Sequence, residues 1–169
     1  MNPSYHLLQD CDSLENNYIN THQFLGEGQY GKVERWQDKN TNKYVAVKRV
    51  KATPEEIAHQ RQILQKIGHH PALLTHEHIF SRSSMELEII YPEKEMNLEK
   101  YLNKLGEKKQ VLNEEIAFNL FSTLIDGLFY LKISQKIVHR DIKPENVLVN
   151  NSESKTPEFT LTDFGESKS

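Results

Sequence analysis

Three polar side chains with complementary chemistry occur close together in residues 139–146, which run HRDIKPEN. Asp141 supplies a carboxylate, Lys143 an ammonium group and Asn146 a carboxamide. Pro144 disfavours a central strand or a helix interior, so these residues are predicted to lie on a loop. Such a group can accept a proton, hold a phosphate and bind a metal ion.

Two further motifs could contact an ion or a phosphate. Asp163 opens an Asp-Phe-Gly triplet directly after the strand-like run FTLT, so its carboxylate is predicted to lie at a strand end where an ion could be held. The run GEGQYG at residues 26–31 is a glycine loop whose bare backbone can approach a phosphate. A dinucleotide fold would need a helix after Gly31, but the strand-like KVERW follows, which excludes that interpretation.

The run VAVK places a small residue and a cation on one side of a predicted strand. Alternate strand residues share a face, so Ala46 and Lys48 point the same way. This pair suits a flat aromatic base beside its phosphates. A surface lysine on an edge strand is the alternative interpretation of the same run.

The order of these four motifs resembles that of the eukaryotic protein kinases, over residues 18–168. The resemblance implies transfer of a phosphoryl group from ATP, with Mg2+, to hydroxyl groups of a protein substrate. A lysine two residues after Asp141 resembles serine/threonine kinases rather than tyrosine kinases.

The resemblance also implies roles for individual residues. In the implied ATP site, three glycines cover the phosphates: Gly26, Gly28 and Gly31. Val33 and Ala46 lie above the adenine and Leu148 lies below it. Lys48 binds the α- and β-phosphates. Asp141 corresponds to the catalytic base, and Lys143 to the residue that steadies the γ-phosphate. Asn146 and Asp163 correspond to the magnesium ligands. The hinge that holds adenine is expected near Ile90 to Glu93.

Two departures from the family pattern leave the activity open. Gln60 stands where the family has a glutamate that pairs with the strand lysine, although Glu56 lies on the same helix face. The sequence also stops soon after Gly165, so it resembles a kinase domain truncated after the Asp-Phe-Gly motif, without its activation loop and later helices. A nucleotide- or partner-binding module without transfer activity is therefore the alternative function.

The elements that must position these residues change character along the chain. Strand-like runs from Tyr18 form predicted hairpins, and Thr53-Pro54 with Glu56 predicts a capped helix that ends at Gly68. Two more strands are predicted between Leu73 and Tyr91. The first part is thus expected to hold a five-stranded antiparallel sheet and one helix.

The second part is predicted to be mainly helical. Residues 96–105 suggest one helix, and Asn113 caps a longer one through about residue 132. That helix has an apolar stripe at helical spacing, comprising Ile116, Leu120, Leu124, Leu128 and Leu131. Phe118 and Phe121 are predicted to be core aromatics of the same helix. The fold class is therefore α+β and protein-kinase-like, with a flexible lead-in (1–17), an N-terminal lobe (18–92) and a partial C-terminal lobe (93–169).

Composition and charge limit the classes of partner expected for this chain. The chain has 169 residues, of which 37% are hydrophobic, and its net charge of -3 gives no electrostatic case for nucleic acid. No run has the length of a membrane span, no secretory signal is apparent, and a single Cys11 excludes an internal disulfide. We therefore expect a soluble, cytoplasmic protein without nucleic acid or membrane as partners, and the kinase resemblance implies that its partner is a protein substrate.

Overall fold

The computed structural model describes residues 13–28 and 31–168. Contacts between residues divide the chain into two compact units. The strand unit contains the described residues up to Ile57 together with His76–Glu93. The helical unit contains Ala58–Thr75 and the chain from Lys94 onward. The predicted lobe boundaries, 18–92 and 93–169, remain a prediction. The division by contacts differs from them, since it assigns residues 58–75 to the helical unit.

The strand unit contains the predicted five-stranded antiparallel sheet. Its strands are β1 (Tyr18–Gly28), β2 (Gly31–Asp38), β3 (Tyr44–Lys51), β4 (His78–Ser83) and β5 (Glu86–Pro92). They are ordered β1-β2-β3-β5-β4, and all neighbours are antiparallel. This confirms the fold prediction for the first part of the chain.

One face of this sheet forms the core of the strand unit. The core contains Trp36 of β2, Val45 and Val47 of β3, Phe80 of β4 and Ile90 of β5, joined by Leu14 and Tyr18. Leu14 belongs to a short helix, α1 (Leu14–Asn17), and is fully buried. The predicted flexible lead-in therefore extends too far, since its last residues pack on the sheet. Residues 1–12 of that prediction, including Cys11, lie outside the described residues.

Helix α2 (Pro54–Ile67) begins with the predicted capping box. The Thr53 amide donates to the Glu56 carboxylate at 2.9 Å, and the Glu56 amide donates to Thr53 Oγ1 at 3.3 Å. Two backbone donors of the first turn are thereby satisfied. Local sequence accounts for where this helix starts.

The strand predicted to begin at Leu73 begins later, at His78. The apolar residues before it pair elsewhere: the Leu74 amide donates to Leu161 O and the Leu161 amide donates to Ala72 O, both at 2.8 Å. Because these contacts lie inside the helical unit, the run of leucines does not extend β4. An apolar run alone cannot distinguish the two arrangements.

The helical unit combines two long helices with a small sheet. Its elements are β6 (Met96–Asn97), α3 (Leu98–Glu107), α4 (Glu114–Phe129), a π-helical turn (Tyr130–Gln135), a 3-10 turn (Pro144–Asn146), β7 (Val147–Asn150) and β8 (Glu158–Leu161). The sheet is ordered β6-β7-β8. Asn113 caps α4 as predicted, because its side chain accepts a hydrogen bond from the Ile116 amide.

The two sides of α4 have different environments. The predicted apolar stripe faces the core of the helical unit. Leu120 and, in the turn after α4, Leu131 are buried there, and three partly buried residues pack against them: Ile116, Leu124 and Leu128. Gly127 lets α4 lie close to the chain before β4, since a Cβ there would be 3.0 Å from Leu73 Cδ2 and 3.1 Å from Ala72 Cβ.

The prediction for Phe118 and Phe121 is wrong, since these side chains are 75% and 62% exposed. They continue with Ile125 and Phe129, at 64% and 65%, as a second apolar stripe on the other side of the helix. The expectation that no run has the length of a membrane span does not hold for Glu114–Gln135, which could cross a membrane by length and composition. A single such helix is weak evidence, because core helices of soluble proteins pass the same test.

Candidate functional site

The candidate residues of the strand unit lie on the face of the sheet opposite its core. Val33 of β2 is paired with Lys48 of β3, and Ala46 lies two residues from Lys48 on the same side. Val45 and Val47, which alternate with them, are buried in the core. The shared face inferred from VAVK is therefore confirmed. We call the surface formed by Val33, Ala46 and Lys48 the open face.

The glycine loop joins β1 to β2. Gly26 and Gly28 belong to β1, Gly28 is paired with Gly31 of β2, and residues 29 and 30 lie outside the described residues. Gly31 is required by the fold, because a Cβ there would lie 1.6 Å from Arg49 O. Gly26 has no such constraint, since a Cβ would meet nothing within 4 Å. Packing does not explain a glycine at that position, whereas a ligand close to the backbone would.

The predicted catalytic loop brings Asp141, Lys143 and Asn146 together. Asn146 Nδ2 donates to the backbone oxygen of Asp141 at 2.9 Å and to its Oδ2 at 2.8 Å. Lys143 Nζ lies 3.1 Å from the same Oδ2, and this hydrogen bond raises the pKa of Lys143. Pro144 opens the 3-10 turn that carries Asn146 into a buried position. The Asp141 carboxylate is therefore held by one cation and one amide.

His139 fixes this loop to the end of β8. Its buried ring lies with Nε2 2.9 Å from Thr162 O, while Nδ1 accepts from the Asp141 amide at 3.2 Å. Nδ1 accepts only when unprotonated, so Nε2 carries the proton and donates. Burial lowers the pKa of His139, which favours this neutral form. His139 thus links the residue before Asp163 to the backbone of Asp141.

Asp163 lies directly after this anchor. The Thr162 amide donates to Asn146 O at 2.9 Å, so the strand end and the predicted catalytic loop are joined at the position before Asp163. Asp163 has φ of 63° and Arg140 has φ of 73°, both in the left-handed region that non-glycine residues seldom adopt. Such conformations persist where surrounding contacts enforce them, and they are concentrated at functional sites. Leu148 is half-buried in β7, opposite Thr160 of β8.

The donor set of Asn146 and Asp163 fits a magnesium ion. The amide nitrogen of Asn146 makes both hydrogen bonds to Asp141, so the amide oxygen is the atom that could contact a cation. Asp163 supplies a carboxylate, and Mg2+ prefers such oxygen ligands. Both residues belong to the helical unit.

The helix position predicted to support Lys48 holds an uncharged, buried amide. Gln60 is 6% exposed, and its Nε2 has no hydrogen-bond partner within the described part of the chain. Glu56, the alternative partner, is exposed and its carboxylate accepts from the Thr53 amide in the capping box. Gln60 therefore differs in charge from the glutamate that the resemblance leads one to expect at this position.

Sequence reasoning did not find the ion pair between Arg35 and Glu93, which are 58 residues apart. The alternation of Val33 and Arg35 along β2 was the available signal, because it places both side chains on one face. Contact with Glu93 depends on the pairing of β3 with β5, which no local pattern specifies.

Comparison with known proteins gives a family match over most of the chain. The family model for the protein kinase domain matches residues 19–169. The chain is 28% identical over 147 residues to cyclin-dependent kinase 1 of Encephalitozoon cuniculi, and 29% identical over 151 residues to human death-associated protein kinase 2. It is 31% identical over 151 residues to the MAP kinase kinase mkk-4 of Caenorhabditis elegans.

Each of these matches covers 83% of this chain. They cover 47% of the cyclin-dependent kinase and 39% of each of the other two relatives. The chain therefore spans less than half the length of these relatives.

Proposed function

Because this chain belongs to the protein kinase family, we propose that it transfers the γ-phosphoryl group of ATP to serine or threonine hydroxyls of proteins. The observation that carries the proposal is the arrangement of Asp141, Lys143 and Asn146, whose side chains meet within 3.1 Å. In phosphoryl transfer, positioning and charge stabilisation do most of the catalytic work. A loop that fixes a carboxylate beside a cation supplies both.

Asp141 is the proposed base. Its carboxylate would orient the substrate hydroxyl and accept its proton as the bond to phosphorus forms. Lys143 would carry part of the negative charge of the γ-phosphate. Its high pKa keeps it a cation at neutral pH, since the hydrogen bond to Asp141 stabilises the charged form.

The proposed nucleotide contacts of the strand unit lie on the open face. Ala46 and Val33 would present small or branched apolar groups to one side of the base. Lys48, two residues from Ala46 along β3, would bind the α- and β-phosphates. Gly26, Gly28 and Gly31 would lie over the phosphates, where the absence of side chains permits close contact.

Asn146 and Asp163 are the proposed magnesium ligands. A bound Mg2+ would neutralise the charge of the phosphate oxygens. The burial of Asn146 and the left-handed backbone at Asp163 support this proposal, because such conformations are concentrated at functional sites. The hydrogen bond from the Thr162 amide to Asn146 O keeps the two segments together.

The preference for serine and threonine is proposed from Lys143, two residues after the proposed base. We propose a soluble intracellular protein whose partner is a protein substrate. Net charge of -3 gives no support for nucleic acid as a partner.

One observation favours a second candidate function, a module that binds nucleotide or a partner protein without transferring phosphate. Kinases depend on an ion pair between the strand lysine and a helix glutamate. The buried Gln60 lacks the charge that makes such a contact strong.

Incubation of the purified protein with radiolabelled MgATP and a serine/threonine peptide library separates the two functions. The proposed function predicts transfer whose rate Asp141→Asn lowers about 10²- to 10⁴-fold. Nucleotide binding without any transfer, in the wild-type protein and in Gln60→Glu alike, would establish the binding module instead. Absence of nucleotide binding by a folded protein would contradict both.

A further inference from the structure

Arg35 is held by three neighbours at one end of the open face. Its Nε lies 2.9 and 3.1 Å from the two carboxylate oxygens of Glu93. Its Nη1 donates to Gln23 Oε1 at 3.2 Å, and its guanidinium carbon lies 3.7 Å from the centre of the Tyr44 ring. The guanidinium is therefore fixed by an anion, an amide and an aromatic face at once.

Strand register places Arg35 beside the proposed base-binding residues. Arg35 follows Val33 by two residues along β2, so the two side chains share a face, and Arg35 is paired directly with Ala46. Glu93 follows β5, whose Tyr91 is paired with the other side of Ala46. Arg35 and Glu93 thus lie on either side of β3, at the Tyr44 end of the open face.

The pair is better defined than a typical surface ion pair. Exposed pairs contribute little because water screens them and both side chains lose freedom. Here the side chains of Arg35 and Glu93 are 28% and 24% exposed, and Tyr44 holds the guanidinium plane. A planar guanidinium stacked on a ring and paired with a carboxylate is a geometry that lysine cannot reproduce.

From these contacts we propose that Arg35 and Glu93 form a clamp that closes the base end of the nucleotide site and sets affinity for the nucleobase. The proposal rests on the proposed nucleotide-binding function. Tyr44, Ala46 and Lys48 succeed one another at about 7 Å along β3. The phosphates belong at the Lys48 end, the base at Ala46, and the Arg35–Glu93 clamp beyond the base. Loss of the clamp then loosens the wall against the base and leaves the phosphate end unchanged.

Calorimetric titration with adenosine and with MgADP tests this division. Arg35→Ala and Glu93→Gln are each expected to weaken both ligands by the same factor, about 3- to 10-fold, as loss of one well-placed charge pair would. The double variant should be no weaker than either single variant, because both changes remove one contact. Lys48→Ala should weaken MgADP alone. Lys51→Ala, which removes an exposed pair with Glu86 at the other end of β3, is the matched control and should change neither affinity.

Three results would overturn the proposal. Unchanged affinities in Arg35→Ala and Glu93→Gln would show that the clamp does not act on the ligand. A loss confined to MgADP would assign Arg35 to the phosphates, and additive losses in the double variant would show that the pair does not act as a unit. Glu93→Gln keeps the side-chain shape, so it provides a folded variant if Arg35→Ala unfolds. Failure of the wild-type protein to bind either ligand would instead overturn the proposed function, and the clamp with it.

Discussion

In the strand unit, Val33, Ala46 and Lys48 share a surface because strand register places them there, whereas in the helical unit Asp141, Lys143 and Asn146 meet because their side chains bond to one another. The first arrangement needs only a correctly paired sheet. The second needs a buried histidine, a 3-10 turn and two residues in left-handed conformations. The proposed nucleotide-binding surface thus follows from strand pairing alone, while the proposed catalytic loop depends on its own side-chain contacts.

The largest expected effect is on the catalytic loop. Asp141→Asn keeps the side-chain size but removes the proposed base, and we expect the rate of phosphoryl transfer to fall about 10²- to 10⁴-fold. The affinity for MgADP should stay within a factor of about two, because the base is not a nucleotide ligand in this account. Rate and affinity measured on the same preparation check the prediction. A parallel loss of both would mean that Asp141 maintains the nucleotide site as well.

Neighbouring residues of α4 should respond very differently to truncation. Leu120→Ala removes buried methyl groups and should lower the free energy of unfolding by about 2–5 kcal/mol. Phe121→Ala removes a larger side chain that is 62% exposed, and should change that free energy by less than about 0.5 kcal/mol. Urea unfolding followed by circular dichroism measures both. Equal losses would show that the Phe121 side of α4 is also packed in solution.

A charge buried in the strand unit provides the next test. Glu88 is fully buried, and its Oε1 accepts from Arg49 Nε at 2.8 Å and from Arg82 Nε at 2.9 Å. Glu88→Gln removes the buried anion that Arg49 and Arg82 share. It should destabilise the chain by about 2 kcal/mol, less than for a fully buried pair, because both arginines are partly exposed and keep a second carboxylate each, Glu34 for Arg49 and Glu15 for Arg82. Glu86→Gln is the matched control, since its partner Lys51 is 77% exposed, and urea midpoints should separate the two. Equal urea midpoints for the two variants would show that the buried Glu88 carboxylate does not stabilise this unit more than an exposed pair does.

The smallest effect is a pH dependence of the helical unit. Burial lowers the folded-state pKa of His139 below its ordinary value of about 6.5. Between the two values the unfolded chain binds more protons, so His139 contributes stability above about pH 6.5 that is lost as the pH falls toward the folded-state pKa. Thermal melts from pH 7.5 to 5 should show this loss, and His139→Asn should reduce the slope. An unchanged slope in the variant would assign the acid sensitivity to other groups.

The sequence predicted features that depend on local chemistry. Thr53 and Glu56 cap α2, and Asn113 caps α4, as their residue types predicted. Alternation along VAVK identified the face of the sheet that carries Lys48. Phe121 was assigned to the core because apolar residues occur on two sides of α4, and hydrophobicity alone does not say which side is covered. The contact between Arg35 and Glu93 was not predicted from the sequence, because it depends on pairing between strands that are distant along the chain.

The magnesium dependence of ATP binding is the most informative test of the proposed function, since Lys48 is proposed to bind phosphate and Asp163 to bind Mg2+. Calorimetry on the wild-type protein should show an ATP affinity that rises at least about tenfold when Mg2+ is added. This is the effect expected when a carboxylate and the phosphates both coordinate the ion. Asp163→Asn should remove that rise while adenosine still binds, and Lys48→Ala should weaken ATP with and without Mg2+. Wild-type protein that is folded but binds no ATP, or Asp163→Asn protein with an undiminished response to Mg2+, would contradict the account.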